Sequence, residues 1–114
     1  MRRHTASCHC GAIRFAFDVQ IDEVVICKCS LCAKRHAVMV GVPRDSLQIL
    51  EGHSALSSYR WNTGQACHYF CSTCGIYTFH QRRIDPAMYS VNAFCIDGLD
   101  VPAIPLRHVD GSRR

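Results

Sequence analysis

Three cysteines crowd one short stretch of this chain, "VVICKCSLCAKRH" at 24–36, which places Cys27, Cys29 and Cys32 within six positions. This spacing can wrap three thiolates around one metal ion without a distant partner. Structural zinc sites are almost always closed by four protein ligands, whereas catalytic zinc sites keep three and leave one position for water or substrate. The stretch therefore indicates a metal site, and the question is whether a fourth ligand lies elsewhere.

Six other side chains are candidates for that fourth ligand: Cys67, Cys95, His36, His53, His68 and His80. Cys67 and Cys95 lie in strand-like runs, where a small buried cysteine is the simpler prediction. His68 alternates with Phe70 and is predicted to be a surface histidine. His36, four residues after Cys32, is the most credible of the set. None carries the local turn chemistry of the other ligands, so an open site is favoured.

A second group of cysteines consists of two pairs, Cys8-x-Cys10 and Cys71-x-x-Cys74, each followed directly by glycine. The i, i+2 spacing of the first pair predicts two sulfurs on one face of extended chain. The second pair has the form of a zinc knuckle, in which glycine accepts a positive φ behind a tight turn. The alternative is a set of ordinary buried cysteines. The paired pattern favours one structural zinc site with four cysteine ligands, whose metal affinity would contribute to folding.

The length of 114 residues predicts a single domain over 1–114, with 48% apolar and 19% charged residues. The longest apolar run, 37–42, is too short to cross a bilayer. Basic residues at the N-terminus are not followed by the apolar segment of a signal peptide, so the expected compartment is the cytoplasm. In a reducing compartment nine cysteines indicate metal binding over disulfides.

The formal net charge of +4 is weak evidence for a nucleic-acid partner. Each thiolate ligand adds a negative charge, so two filled zinc sites would bring the chain close to neutrality. We therefore expect a small-molecule partner, with neither nucleic acid nor membrane, and the oligomeric state is open.

Alternating and β-branched runs predict eight or so short strands joined by turns. The clearest run is 12–19, where four apolar residues alternate with Arg14, Ala16 and Asp18. Further strands are predicted within 23–29, 36–42, 45–52, 66–71, 76–80 and 87–94. Helical structure is predicted only as a turn near 30–36 and at 54–58. The pattern is typical of an all-β sandwich or open barrel of short antiparallel strands.

The cysteine motifs resemble those of the glutathione-dependent formaldehyde-activating enzyme family, which includes centromere protein V-like proteins. The resemblance rests on "CHCG" at 8–11, "CKCSLCAK" at 27–34 and "YFCSTCG" at 69–75, with support from "LEGHSALSSYRW" at 50–61 and "SVNAFCID" at 90–97. It spans roughly residues 6–98 and places seven cysteines in the right order and spacing.

The resemblance implies a mostly β, tent-like arrangement of sheets and two zinc ions per chain. It implies that Cys8, Cys10, Cys71 and Cys74 hold a structural zinc ion. The remaining three cysteine ligands would hold a catalytic and more labile one. The implied reaction is that of a carbon–sulfur lyase: glutathione adds to formaldehyde to give S-hydroxymethylglutathione. The chain departs from the common pattern of the family at Lys28 and at 33–36. These differences leave the metal ligands intact, and they leave the identity of the substrate open.

Three functions remain open at this point. The first is a zinc-dependent enzyme acting on a thiol–carbonyl adduct, in which a bound thiol would be activated as thiolate. Lys28, Lys34, Arg35 and His36 would then be anchors for a substrate carboxylate, unless they form a solvated basic loop. The others are a non-catalytic zinc-stabilised binding module and a redox or metal sensor.

Overall fold

The computed structural model describes residues 2–27, 30–60, 66–82 and 85–109. These residues form ten strands and one short α-helix, arranged as a three-stranded and a seven-stranded sheet. The prediction of a mostly β fold is therefore confirmed. None of the described helical segments has the length and apolar character that crossing a membrane requires.

The strands are β1 Arg2–Ser7, β2 Arg14–Val19, β3 Val24–Cys27, β4 Val38–Pro43, β5 Gln48–Glu51, β6 Leu56–Tyr59, β7 Cys67–Cys71, β8 Tyr77–Gln81, β9 Met88–Asn92 and β10 Leu106–Val109. The helix α1 spans Ser30–Arg35, and short 3-10 turns occupy Arg44–Ser46, His53–Ala55, Ala93–Cys95 and Val101–Ala103.

The smaller sheet has the order β1-β2-β5, and the larger has the order β10-β3-β4-β9-β8-β7-β6. Strands were predicted to be antiparallel, and among the described pairs β10 with β3 is the exception, since it is parallel. Parallel neighbours need a long connection, and here β4 to β9 lie between the two strands along the chain.

The core lies between the two sheets, where the predicted alternation of β2 turns its aromatic side chains inward. Phe15 and Phe17 are fully buried, and the ring of Phe15 lies 5.3 Å from that of Phe79 on β8. Val40 on β4 and Val91 on β9 belong to the same buried cluster, on the side of the larger sheet. Each such side chain contributes roughly 1.5–3 kcal/mol by leaving water, so the smaller sheet is held firmly against the larger.

Three strands differ from the sequence prediction. Residues 54–58 were predicted to be helical, but a 3-10 turn at His53–Ala55 leads directly into β6, whose backbone pairs with β7. β1 and β10 were not predicted, because neither has a clear apolar alternation. Both are stabilised by pairing with a neighbour, β1 with β2 and β10 with β3.

Candidate metal centre and adjoining cleft

The four cysteines of the two pairs come together at one end of the smaller sheet. The sulfurs of Cys8, Cys10, Cys71 and Cys74 all lie within 4.8 Å of one another. Cys8 follows β1 and Cys10 lies in the turn before β2, while Cys71 ends β7 and Cys74 lies in the turn before β8. The cluster therefore connects a strand pair of each sheet, and its donor set could hold a metal ion.

The backbone conformation of the first pair, Cys8 and Cys10, differs from the predicted one. Residues 8–11 were expected to be extended, but they form a turn in which Gly11 N–H donates to the Cys8 carbonyl over 3.3 Å. Gly11 has φ 80°, as does Gly75 after the second pair. Each pair is thus a tight turn followed by a left-handed glycine, and the two turns face each other.

The spacing of the sulfurs fits a tetrahedral thiolate site. Cys10 Sγ lies 3.7 Å from both Cys8 Sγ and Cys71 Sγ. A tetrahedron with zinc–sulfur bonds of about 2.3 Å has edges of about 3.8 Å, whereas a disulfide would need about 2.05 Å. Backbone amides of Ile13 and Thr73 point at Cys8 Sγ and Cys71 Sγ, each over 3.4 Å.

The pKa values of Cys74, Cys71 and Cys10 are shifted in different directions. Hydrogen bonds from the backbone amides of Cys10 and Ile76 lower the pKa of Cys74 to about 6, and the amides of Cys74 and Thr73 lower that of Cys71. The amide of Ala12 also lowers the pKa of Cys10, but desolvation and the neighbouring sulfurs outweigh it and raise that pKa to about 11. Four thiolates this close need a positive ion between them.

Two of the three cysteines in the 24–36 stretch are described. Cys27 ends β3 and Cys32 lies in α1, and both are buried beside Ala37 and Met39 in a small apolar cluster. Cys29 lies outside the described residues, so the convergence of all three sulfurs stays a prediction.

No candidate for a fourth ligand joins Cys27 and Cys32 in a three-donor group in the described part of the chain. Cys67 and Cys95 are buried, as predicted, and Cys95 Sγ donates to the Tyr77 carbonyl over 3.6 Å. His53 is exposed in a 3-10 turn.

His68 was predicted to be a surface histidine, and this was wrong. It is only 7% exposed because β7 is flanked by β6 and β8 within the sheet. Its ring packs at an angle of 34° against the ring of the directly paired His80 on β8, with 4.7 Å between ring centroids. Nδ1 of each histidine is within hydrogen-bonding distance of another side chain, Arg35 for His68 and Tyr77 for His80.

A cleft of about 640 Å³ opens beside α1, within the size range of small-molecule sites. Its described lining includes five aromatic side chains: Tyr59, Tyr69, Phe70, Tyr77 and Phe94. Its polar lining consists of Arg35, His36, His68 and Asn92. Tyr69 and Phe70, on β7, both face this cleft. No run of the sequence could have indicated the cleft, because α1, β6–β8 and the segment after β9 contribute to it together.

Arg35 connects the cleft to the second cysteine group. Its guanidinium carbon lies 3.7 Å from the centroid of the Tyr77 ring, in a cation–π contact. Nη1 donates to His68 Nδ1 over 3.2 Å, and Nη2 donates to Cys32 Sγ over 3.7 Å. Arg35 Nε is buried and has no hydrogen-bond partner among the described residues, a departure from full pairing that is uncommon in protein interiors.

The positions of the ring protons on His68 and His80 follow from these contacts. An arginine only donates, so His68 Nδ1 must accept and the ring is neutral with its proton on Nε2. Burial and the charge of Arg35 lower the pKa of His68 to about 4. The hydroxyl of Tyr77 donates to the Ser90 carbonyl over 3.1 Å, so His80 Nδ1–H donates to the tyrosine oxygen over 2.7 Å.

The predicted basic anchors separate in the structure. Arg35 is half-buried in the cleft. His36 directly follows α1 and is exposed at the edge of the cleft, and its φ of 53° is the left-handed conformation usually given to glycine. Lys34 is exposed and does not line the cleft. Lys28 lies outside the described residues.

Comparison with known proteins gives one family and a similar structure. The family model described as glutathione-dependent formaldehyde-activating enzyme matches residues 3–109. A crystal structure of a Rhodobacter sphaeroides protein is similar over 90% of this chain and 99% of its own, with 34% sequence identity and a TM-score of 0.83.

Proposed function

We propose, from the premise that the chain belongs to the glutathione-dependent formaldehyde-activating enzyme family, that it is a zinc-dependent enzyme of carbon–sulfur bond formation and cleavage. The reference pair is glutathione and formaldehyde, and the alternative thiol partner is a related small thiol. In the forward direction the thiol sulfur bonds to the carbonyl carbon, and the thiol proton ends on the carbonyl oxygen. The reaction needs no oxidant or reductant.

The two cysteine groups would have different tasks. Cys8, Cys10, Cys71 and Cys74 would hold a structural zinc ion, since their donor set and sulfur spacing suit tetrahedral coordination. The three cysteines at 27, 29 and 32 would hold the functional ion. When bound there, zinc supplies a positive charge that stabilises a substrate thiolate at neutral pH.

The observation that carries the proposal is the contact between Arg35 and Cys32 at the side of the cleft. It places one of the predicted ligands next to a cavity large enough for a small molecule. A purely structural site would not need an adjoining cleft with a cation in its wall. The alternative functions, a binding module or a sensor, have no comparable observation in their favour.

The residues of the cleft have separable roles in this proposal. Arg35 is held by Tyr77 and His68, and the N–H groups not used in those contacts can bind a substrate carboxylate. His68 is a positioning residue, because its Nδ1 is occupied by Arg35. His36 is exposed at the edge of the cleft, and its ring can carry the thiol proton between substrate and water.

The experiment is proton NMR exchange between formaldehyde and glutathione, with and without protein. We expect the protein to accelerate exchange and Cys29→Ser to abolish the acceleration. Cys67→Ala is the control, because Cys67 is a buried cysteine that belongs to neither group. Equal rates for Cys29→Ser and the wild type, or no acceleration by zinc-loaded protein, would reject the proposal for this pair of substrates.

A further inference from the structure

The cleft concentrates the exposed apolar surface of the described structure. Among the described residues five large apolar side chains are exposed, and three of them line the cleft: Tyr59, Ile76 and Phe94, with exposures of 50%, 37% and 63%. They come from β6, the β7–β8 connection and the 3-10 turn after β9, so they are not neighbours in sequence. Grouped exposed apolar side chains mark binding sites more often than scattered ones do.

The charge in this cleft is small and of one sign. Among its described lining residues, Arg35 is the permanent cation and no carboxylate is present. Arg35 is also restrained on three sides by Tyr77, His68 and Cys32. The cleft can therefore pair one anionic group well, and its described lining offers no carboxylate to pair with an ammonium group.

Glutathione is a poor match to such a lining. It carries two carboxylates and an ammonium group at neutral pH, and placing unpaired charges against aromatic walls has a large desolvation cost. A molecule with an apolar body and one carboxylate would instead bury that body against Phe94 and Tyr59 and pair its charge with Arg35.

We propose that the cleft binds thiol adducts whose non-reacting part is an aromatic or branched aliphatic group with a single carboxylate, in preference to glutathione. This inference rests on the proposed function for the reaction and on the cleft lining for the selectivity. Phe94 and Tyr59 are its specificity-determining residues, and Arg35 fixes the orientation of the carboxylate.

The test measures binding with compounds that cannot react, by calorimetric titration into the zinc-loaded protein. The probes are 3-phenylpropionate, propionate and S-methylglutathione. We expect 3-phenylpropionate to bind at least about tenfold tighter than either of the others, because its ring buries apolar area at about 25 cal/mol per Å². Tighter or equal binding of S-methylglutathione would overturn the inference.

Two variants assign the selectivity to this cleft. Phe94→Ala should weaken binding of 3-phenylpropionate about fivefold or more. Leu50→Ala should leave it unchanged, since Leu50 is similarly exposed, at 49%, but lies on β5 of the other sheet. Equal affinities for the two variants would also overturn the inference.

The outcomes separate this inference from the proposed function. If no thiol is accelerated but 3-phenylpropionate binds as expected, the enzymatic proposal fails and the selectivity of the cleft stands. If glutathione exchange is accelerated and S-methylglutathione binds more tightly than 3-phenylpropionate, the enzymatic proposal stands and the proposed selectivity fails.

Discussion

The guanidinium carbon of Arg35 lies 3.7 Å from the centre of the Tyr77 ring, and this contact fixes α1 to the larger sheet. A helix of six residues has no stability of its own in water. Its position therefore depends on tertiary contacts such as this one and the hydrogen bond to His68. Since α1 also contains Cys32, the same contacts place a predicted metal ligand beside the cleft.

Arg35→Lys tests whether the planar guanidinium matters beyond its charge. Lysine keeps the charge but cannot reproduce the stacking on Tyr77 together with the two directed hydrogen bonds. We expect KM for a carboxylate-bearing thiol to rise about tenfold, in line with losing about 1–2 kcal/mol of such contacts. Lys34→Gln is the control, because that neighbouring cation is exposed and does not line the cleft. Unchanged kinetics for Arg35→Lys would show that Arg35 does not bind substrate.

His68 should make the protein sensitive to mild acid. Its pKa is lowered to about 4 by burial and by Arg35, whereas an unfolded chain has a histidine pKa near 6.5. The unfolded state therefore binds the proton first, and the free energy of unfolding falls as the pH decreases from about 6.5 to about 4. With allowance for solvent at the cleft, the loss is on the order of 1–2 kcal/mol.

Urea unfolding between pH 7 and 4.5, compared for the wild type and His68→Gln, isolates this contribution. Protonation of the cysteine clusters affects both proteins alike, so the difference between their pH dependences reports His68. The wild type should lose stability more steeply. Parallel curves would mean that His68 does not stay neutral in the folded protein.

Gly52 should be irreplaceable for steric reasons. It has φ 93°, and a Cβ atom there would overlap the Ala12 carbonyl oxygen and lie 2.8 Å from Ile13 Cα. Both contacts are with backbone, which cannot rotate away, so we expect Gly52→Ala to lower the free energy of unfolding by at least about 3 kcal/mol. Gly98→Ala is the matched control: φ is 71° but the space is open, and a cost of about 1 kcal/mol is expected. Similar denaturant midpoints for the two variants would contradict this packing.

The sequence was informative where the pattern is local. The alternation at 12–19 predicted β2, because it depends on residues within one strand. Each glycine-following cysteine pair lies within one turn, and the presence of two such pairs predicted the four-sulfur cluster. One part of this prediction was wrong, because the Cys8–Cys10 segment is a turn and not extended chain.

Long-range pairing accounts for most of what the sequence could not indicate. β6 contains two serines and lacks clear alternation, and it becomes a strand because β7 supplies its backbone partners. His68 is polar, yet it is buried because β7 lies between two other strands. Arg35 of α1 supplies its hydrogen bond. The cleft depends on several separate segments in the same way. The single-domain organisation, the cytoplasmic location and the site formed with Cys29 stay predictions.

The central claim is that one cysteine group supports the fold and the other supports chemistry. Native mass spectrometry of the protein purified with zinc, combined with thermal unfolding, tests it most directly. We expect about two zinc ions per chain in the wild type. Cys29→Ser should retain about one zinc ion and a cooperative unfolding transition, while Cys74→Ser should lose the other ion and several kcal/mol of stability. Loss of both ions together with unfolding in Cys29→Ser would contradict the claim, because the second site would then be structural as well.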